Sequence, residues 1–400
     1  MSETVQTPIA ELEHIWNPLD IGPTRVKHRI MMTAQTILYS DDHILGDRHI
    51  AFYRERARGG VGLMLSEQLT ASRLDNSGFA SALTAYDRDH IPGFARIMAA
   101  VRPHGARFFA QLFAPGAAGG SSGGIDGWAP LKAPSRIAAP GLEVPVPLGV
   151  DELAEIAADF ADSAANLQEA GVDGVELHGS HGWLIGQFLS PFYNHREDAY
   201  GGSVQNRCRF ALEIGRAVRA RVGVAYPLGI ALTYDELMGA AGITPHDTLE
   251  QLRVLDAAGV FDFFDLSIGS SHQQHHTLAS MAIDQGFAIP FAAQARQLVR
   301  PGSVIMVAGR VVEPVMAARA VELGHADIVA MTRGLLADPH ILRKARAGLT
   351  RQITHCVGAN VCIRRSLGDQ PVACVVNPVA GRESAWAELP PAPRPLRVAV

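Results

Sequence analysis

Apolar positions in this chain fall into short continuous runs, each followed by a longer stretch with helical spacing. Eight such runs recur, at 29–35, 61–67, 106–112, 173–178, 228–233, 262–267, 303–308 and 326–331. Runs that are apolar throughout, without polar alternation, are typical of strands buried on both faces in a parallel sheet. The pattern therefore predicts eight parallel strands.

Helical spacing fills the intervals between the runs. The predicted helices are 47–58, 89–102, 151–170, 203–222, 244–258, 288–300, 311–323 and 335–346. Asp151 and Thr244 carry side chains that commonly cap the first turn of a helix. Eight strand-then-helix units predict a (β/α)8 TIM barrel, with an open doubly wound sheet as the alternative.

Two stretches fall outside this alternation. The segment 113–150 is rich in Gly, Pro and Ser and too long for an ordinary connection, so we expect it to cover the top of the barrel. After residue 380 the chain becomes linker-like, with ELPPAPRP, and it ends on PLRVAV, which resembles the opening of a new strand. We therefore predict a barrel domain over 1–350, a cysteine-rich segment over 351–380, and a linker leading into a missing dinucleotide-binding domain over 381–400.

Composition and charge limit the kinds of binding partner and the cellular location that we expect. A formal net charge of −5, without a basic run, gives no reason to expect nucleic-acid binding. The N-terminus lacks the apolar core of a secretory signal peptide, and no uninterrupted apolar run reaches about 18 residues, the length that spans a membrane. Four cysteines in 400 residues favour a reducing compartment. We predict a cytoplasmic protein that acts on a small molecule; homo-oligomerisation stays open.

Arginines follow the last two predicted strands. Gly309-Arg310 comes after the seventh strand, and Thr332-Arg333-Gly334 comes after the eighth. Functional groups of barrels lie at the C-terminal ends of the strands, where both arginines would meet. Backbone N–H groups at a helix start and two guanidinium groups can share one anion, so the pair predicts a phosphate site.

A histidine pair lies at the end of the fourth predicted strand, where His178 is followed by His181. Two histidines at the mouth of a barrel can donate hydrogen bonds to a substrate oxygen. They could instead bind zinc in a hydrolase, with His272 from the group after the sixth strand as the third ligand. One structural and one exposed histidine is the plainer interpretation, and the pattern alone does not separate the three.

Three of the four cysteines, Cys356, Cys362 and Cys374, lie in the segment HCVGANVCIRRSLGDQPVAC. Clustered thiols in a reducing compartment are more often metal ligands or catalysts than disulfides. The position three residues after Cys356, where a further ligand would be expected, is Ala359. Cys208, on a predicted helix, is expected to be a core residue.

Three stretches together resemble the Old Yellow Enzyme family of FMN-dependent barrels. They are GVELHGSHGWLIGQFLSPFYNHREDAYGGSVQNRCRF (174–210), ADIVAMTRGLLADP (326–339) and the cysteine segment. The resemblance covers residues 16–380 and is to the iron–sulfur branch, which contains 2,4-dienoyl-CoA reductase, enoate reductase and trimethylamine dehydrogenase. It implies FMN-dependent reduction of the C=C bond of an α,β-unsaturated carbonyl or carboxylate. Oxidative demethylation of an N-methylamine is the alternative on the same scaffold.

The resemblance also implies a role for each matching residue. Arg310 and Arg333 would hold the FMN phosphate, and Gln111 would bind the flavin pyrimidine edge. The histidine pair would bind a substrate oxygen and polarise the alkene for hydride attack. The implied FMN-binding set is Thr33, Ala34, Thr36, Gln68, Gln111, Gly309, Arg310, Thr332 and Arg333. The implied catalytic set is His178, His181, Trp183 and His272.

Four positions depart from patterns found in relatives. With Thr36 where some relatives have cysteine, no covalent flavin bond can form there. Trp183 replaces a proton-donating tyrosine and is not a useful acid, so the proton would come from water or His272. Ala231 lies near a position where many relatives carry an arginine facing the flavin, so the flavin potential should fall. Ala359 removes one of four ligands of a [4Fe–4S] cluster, which leaves an altered cluster or an empty segment.

The electron path implied by the resemblance extends beyond this chain. In the three-cofactor relatives, NAD(P)H reduces an FAD in a C-terminal domain, and electrons then cross the cluster to FMN. FAD and NAD(P)H are therefore expected only if such a domain follows. The altered positions leave a further alternative, a catalytically silent electron-transfer or scaffold protein.

Overall fold

Eight short parallel strands close into a barrel, and their order around the ring is their order along the chain. The computed structural model describes residues 10–40, 44–74, 83–119, 130–386 and 394. The barrel strands are β1 (Ile30–Met32), β2 (Leu63–Thr70), β3 (Arg107–Phe113), β4 (Gly174–Gly179), β5 (Leu228–Thr233), β6 (Phe263–Ser267), β7 (Val304–Val307) and β8 (Ile328–Ala330). The ring closes where β8 pairs with β1. The TIM barrel is confirmed, and the open doubly wound sheet is wrong.

The predicted helices surround the barrel. They are α1 (Asp47–Arg58), α2 (Ile91–Val101), α3 (Val150–Glu169), α4 (Val204–Val222), α5 (Pro245–Ala257), α6 (Ile289–Arg296), α7 (Pro314–Glu322) and α8 (Ile341–Arg346). Thr244 caps α5 as predicted, because its hydroxyl accepts a hydrogen bond from the backbone N–H of Asp247. Asp151 instead lies inside α3, whose N-cap is Gly149.

The predicted helix over 335–346 is in fact two helices, Thr332–Ala337 and α8. Pro339 explains the break, because a proline disfavours the helical conformation of the residue before it. Asp338 accordingly adopts an extended conformation, with φ −140° and ψ 98°. Arg333 therefore lies in a short helix of its own at the rim of the barrel.

Side chains pack against both faces of the barrel sheet. A short hairpin of Leu19–Ile21 and Thr24–Val26 contributes Ile21 and Val26 to the cluster inside the barrel. Cys208 belongs to the larger core on the other face and is fully buried, as predicted. The inner cluster comprises Ile21, Val26, Met31, Leu63, Leu65, Phe109, Phe263, Val304, Met306, Ile328 and Ala330. Apolar side chains thus fill one end of the barrel and leave the C-terminal ends of the strands for a ligand.

The described part of segment 113–150 borders the mouth of the barrel. It contains a 3-10 turn at Gly116–Ala118 and a parallel pairing of Lys132–Ala133 with Val146–Pro147. Ala139 and Leu142 line the cavity at the strand ends, as expected for a segment that covers the barrel. Residues 120–129 lie outside the described part. None of the described helices is long and apolar enough to cross a membrane.

The cysteine segment continues into chain that packs beside α1. Its helices are Val361–Leu367 and Glu383–Trp386. Arg56 on α1 and Glu383 form an ion pair in which both side chains are almost fully buried, with 2.5 Å between Nη1 and Oε1. The Tyr39 hydroxyl donates to the carbonyl of Val372 at 3.0 Å. The strand predicted at PLRVAV lies outside the described residues, and the division into three parts remains a prediction.

We predict that Arg56→Leu lowers the free energy of unfolding by about 3–5 kcal/mol, because the Glu383 carboxylate would remain buried without its partner. Denaturant unfolding measures the change. Arg96→Leu is the control, since its ion pair with Asp47 is exposed and should contribute less than about 1 kcal/mol. Equal effects of the two substitutions would show that the buried pair does not hold the segment.

Candidate active site

A cavity of about 460 Å³ lies at the C-terminal ends of the strands. All nine residues of the implied FMN-binding set line it, as do His178, His181 and Trp183. They are far apart in sequence and meet because parallel strands of a closed barrel end at one rim. His272 is not among the lining residues, although Ser270, Ser271 and Gln274 from the same loop are.

Two guanidinium groups face the cavity where β7 and β8 end. Arg310 has a left-handed backbone, with φ 52°, and donates from Nη1 to the carbonyl of Ile283. Arg333 donates to the carbonyl of Ala279 and, at 2.7 Å, to Oδ1 of Asn360. Burial lowers the pKa of Arg333, and the positive charge of Arg310 lowers it further. The two cations therefore repel each other, and an anion bound between them would relieve the repulsion.

Several buried polar atoms around the cavity lack a hydrogen-bond partner among the described residues. They are both side-chain amide atoms of Gln35, Nε of Arg310 and Oδ1 of Asp265. Buried polar atoms are nearly always paired, so these atoms indicate a polar ligand. A flavin ring with polar edges and a phosphate tail fits this set, since the cations could hold the phosphate and the remaining groups could meet the ring.

The floor of the cavity holds two acidic side chains that the sequence analysis did not single out. Glu176 on β4 accepts a hydrogen bond from Nε2 of Gln111 at 2.6 Å. Asp265 on β6 accepts one from the Thr33 hydroxyl at 2.9 Å. The sequence does contain a signal for these two residues, since each is an acidic residue within an otherwise apolar strand, GVELH or FFDLS. Acidic side chains are rarely buried unless they are paired.

His178 and His181 lie side by side, with ring centroids 5.3 Å apart and nearly perpendicular rings. The Ser180 hydroxyl lies 3.1 Å from Nδ1 of His178 and 3.4 Å from Nδ1 of His181, which leaves the Nε2 atoms for a ligand. Burial lowers the pKa of His178 well below its usual range and lowers the pKa of His181 to about 4. Both rings are therefore neutral near pH 7 and act as hydrogen-bonding groups rather than cations.

The cysteine segment borders the cavity through Ile363 and Ser366 of its helix. Burial raises the pKa of Cys362 to about 11, and the charges of Cys356 and Cys374 also act on it, so the thiols are neighbours. Within the described ranges, however, no group of three or more Cys, His, Asp or Glu side chains is arranged to hold a metal ion. Neither the cluster nor the zinc alternative gains support from this geometry.

Comparison with known sequences decides the family. Residues 14–352 match the profile of the NADH:flavin oxidoreductase / NADH oxidase family. The chain belongs to this family. The match confirms the resemblance to Old Yellow Enzymes and supports FMN as the ligand of the cavity.

Three similar proteins are longer than this chain. The NADH oxidase of Thermoanaerobacter brockii is 35% identical over 385 residues, 95% of this chain and 58% of that protein. The N,N-dimethylglycine/sarcosine dehydrogenase of Chromohalobacter salexigens is 33% identical over 381 residues, 92% of this chain and 53% of the dehydrogenase. A solved 2-naphthoyl-CoA reductase complex has a TM-score of 0.87 at 27% identity, over 94% of this chain and 58% of that one. The chain thus spans a little over half the length of these relatives.

Of the two proton sources that the sequence analysis considered, water and His272, the second does not line the cavity. Trp183 lines the cavity, with its ring 5.2 Å from that of Phe113. The Nδ1 atom of His272 lies 3.2 Å from the Tyr193 hydroxyl, and its ring packs on Phe192. His272 therefore does not join the other implied catalytic residues in the cavity lining, and the structure gives no support for direct proton donation by it.

We predict that Arg333→Ala weakens FMN binding roughly ten- to hundredfold, since a charged hydrogen bond contributes about 1.5–3 kcal/mol. Quenching of FMN fluorescence on titration measures the affinity. Arg319→Ala is the control, because Arg319 is exposed and pairs with Glu322 on α7.

Riboflavin, which lacks the phosphate, should bind the parent and the Arg333→Ala protein equally. A similar loss of affinity for both flavins would contradict a phosphate contact. It would mean that Arg333 serves the fold through Asn360 instead.

Proposed function

We propose that this chain is the FMN-binding part of an oxidoreductase that reduces the C=C bond of an α,β-unsaturated carbonyl or carboxylate. The neutral pair of His178 and His181 carries the proposal, because it lies in the same cavity as the two arginines and presents hydrogen-bonding groups to a substrate oxygen. Among the relatives, the reductase solved with 2-naphthoyl-CoA is named for the reduction of a conjugated thioester.

In this proposal, each group of residues in the cavity has its own function. Arg310 and Arg333 would hold the FMN phosphate, and Gln111, held by Glu176, would meet the polar edge of the ring. Bound FMN supplies the hydride for such a reduction. The histidine pair would hold the substrate oxygen and stabilise the negative charge that develops there. We infer that water admitted to the cavity delivers the proton, since Trp183 is not a useful acid.

We predict that His178→Ala slows alkene reduction about 10²- to 10³-fold, the usual effect of losing one donor to a developing oxyanion. The FMN-loaded chain is reduced with dithionite without oxygen and mixed with 2-cyclohexenone or cinnamate, and the return of flavin absorbance gives the rate. His275→Ala, at an exposed position of the loop after β6, is the control and should leave the rate unchanged. A parental rate in the His178→Ala protein would refute the role of the histidine.

Oxidative demethylation of an N-methylamine is the second candidate. Trp183 favours it, because amine oxidation does not need the acid that the family's tyrosine supplies. The dimethylglycine/sarcosine dehydrogenase among the relatives is named for such substrates. The same protein preparation separates the two functions: the oxidised flavin is bleached by a methylamine substrate in one case, and the reduced flavin is reoxidised by an alkene in the other.

We propose that the cysteine segment holds less than a complete iron–sulfur cluster. Cys356, Cys362 and Cys374 are close enough for their charges to interact, which supports a shared site. Ala359 offers no donor atom, and the thiols as placed do not form a metal-binding group, so we derive no electron path through them. FAD, NAD(P)H, a cytoplasmic location and homo-oligomerisation remain predictions.

We predict that the native chain carries fewer than four irons and that Ala359→Cys raises the iron content toward four, because it restores the missing thiolate. Iron analysis and low-temperature electron paramagnetic resonance measure the change. Ala257→Cys, an exposed position on α5, controls for iron bound loosely by an added thiol. Four tightly bound irons in the native chain would contradict the proposal and point to another ligand, such as His355. Absence of iron from both proteins would show that the segment is a structural remnant.

A further inference from the structure

Two carboxyl groups lie inside the barrel on either side of β5. Glu176 on β4 pairs in register with Gly229, and Asp265 on β6 pairs with Ala231. Gly229 and Ala231 of β5 therefore lie between the two acids in the sheet. Glu176 is fully buried and Asp265 is 4% exposed. Each has one hydrogen-bonded oxygen and one, Oε2 of Glu176 and Oδ1 of Asp265, without a partner among the described residues.

No cation compensates these acids in the described part of the barrel. Burial is the largest influence on both carboxyls. Glu176 is also affected by the charge of Asp265 and the hydrogen bond from Gln111, and Asp265 by the hydrogen bond from Thr33. His178 is the titratable neighbour on β4, and burial keeps it neutral. The other strands present uncharged groups to the cavity: Thr33 and Gln35 after β1, Gln68 on β2, Gln111 on β3, Ala231 on β5, Ser267 on β6, Ala308 after β7 and Ala330 on β8. Arg310 and Arg333 lie at the rim.

Two ionised carboxylates cannot share such a site, because both lack hydration and each repels the other. Burial raises the pKa of Glu176 well above its usual range, and the charge of Asp265 raises it further. Burial raises the pKa of Asp265 to about 7, against the opposing effect of the Thr33 hydrogen bond. Glu176 therefore keeps its proton, and Asp265, which lines the cavity while Glu176 lies beneath it, exchanges its proton near neutrality.

We propose that Glu176 and Asp265 form an acid pair that carries at most one negative charge, and that Asp265 takes up a proton when negative charge develops on the group bound in the cavity. This rests on the proposed FMN site. Reduction to the anionic reduced flavin takes up two electrons and one proton at the ring. The second proton would come from solvent and bind the Asp265 carboxylate. Asp265 would then offer a neutral O–H where a charged group is lacking near Ala231.

Redox potentiometry of the FMN-loaded chain, with dithionite as reductant and dye mediators, tests the coupling. Above about pH 7, two protons should be taken up per two electrons in the parent and one in Asp265→Asn. Glu236→Gln is the matched control, because Glu236 is also buried but bonds to Ser190 and Ile243, away from the cavity lining. Ala231→Arg should also abolish the extra proton, since the introduced cation would ionise the pair. Equal proton counts in the parent and Asp265→Asn would overturn the coupling.

Thermal unfolding of the flavin-free chain tests the raised proton affinity of Asp265 independently. Because the folded-state pKa of Asp265 is raised to about 7, the unfolded chain loses this proton first as the pH rises. The carboxyl therefore destabilises the fold increasingly from about pH 4 to about 7, and then by a constant amount. The Tm of Asp265→Asn relative to the parent should rise over that window and level off above it.

The two measurements separate the possible failures. A Tm difference that does not change with pH would overturn the raised proton affinity of Asp265, and with it the proposal. If neither protein binds FMN, the proposed function and the coupling both fail, while the unfolding data still decide whether Asp265 exchanges its proton near neutrality.

Discussion

Closure of eight parallel strands into one ring is the constraint on which the rest of this structure depends. Because all strands run in the same direction, their C-terminal ends share one rim, and residues hundreds of positions apart meet there. Thr33 after β1 and Asp265 on β6 are hydrogen-bonded although 232 positions separate them. The ring also demands that both faces of each strand be covered. A polar side chain inside the barrel therefore costs desolvation free energy. Such side chains lie where a ligand is expected.

The charges around the cavity are separated rather than paired. Arg310 and Arg333 place positive charge at the rim beside β7 and β8, whereas Glu176 and Asp265 place acids in the floor. The histidines between them are neutral. A charged histidine would bind a substrate carboxylate strongly in the ground state, which does not accelerate the reaction. A neutral donor gains most as negative charge develops, so the loss of charge on His178 suits reduction better than tight binding.

Features that depend on apolar periodicity or on the position of a strand end could be predicted from the sequence. The position of a side chain could not be predicted where it depends on the path of a loop or on a strand distant in sequence. The eight strands and the lining residues Arg310, Arg333 and His178 follow from position along the chain. His272 is absent from the cavity lining and lies beside Tyr193, and no local pattern encodes this placement within the loop after β6. The two acids could not be predicted as a pair, since they lie on different strands, β4 and β6, on either side of β5. Pro339 was a signal for the helix break at Asp338, but the helical spacing of the apolar residues predicted one continuous helix.

The residues around Ala359 have a function in the fold that does not depend on iron. Asn360, in a left-handed conformation with φ 55°, receives a hydrogen bond from Arg333 and donates one to the carbonyl of Leu278 at 2.5 Å. The carbonyl of Gly358 accepts a hydrogen bond from the backbone N–H of Met281 at 2.9 Å.

Gly358 itself cannot be enlarged without disturbing this arrangement. A Cβ at this position would lie 2.9 Å from the backbone N of Met281 and 3.1 Å from Nη2 of Arg310. Asn360 thus holds Arg333 in place, and Gly358 bonds to the loop after β6 and leaves room for the Arg310 side chain. Gly358 and Asn360 lie beside the cysteines because they support the candidate phosphate site. Their presence is therefore not by itself evidence for a cluster. Evidence for metal binding must therefore come from the thiols alone. Position 359 carries no metal-ligating side chain, whereas its neighbours Gly358 and Asn360 are required by the cavity whether or not metal binds.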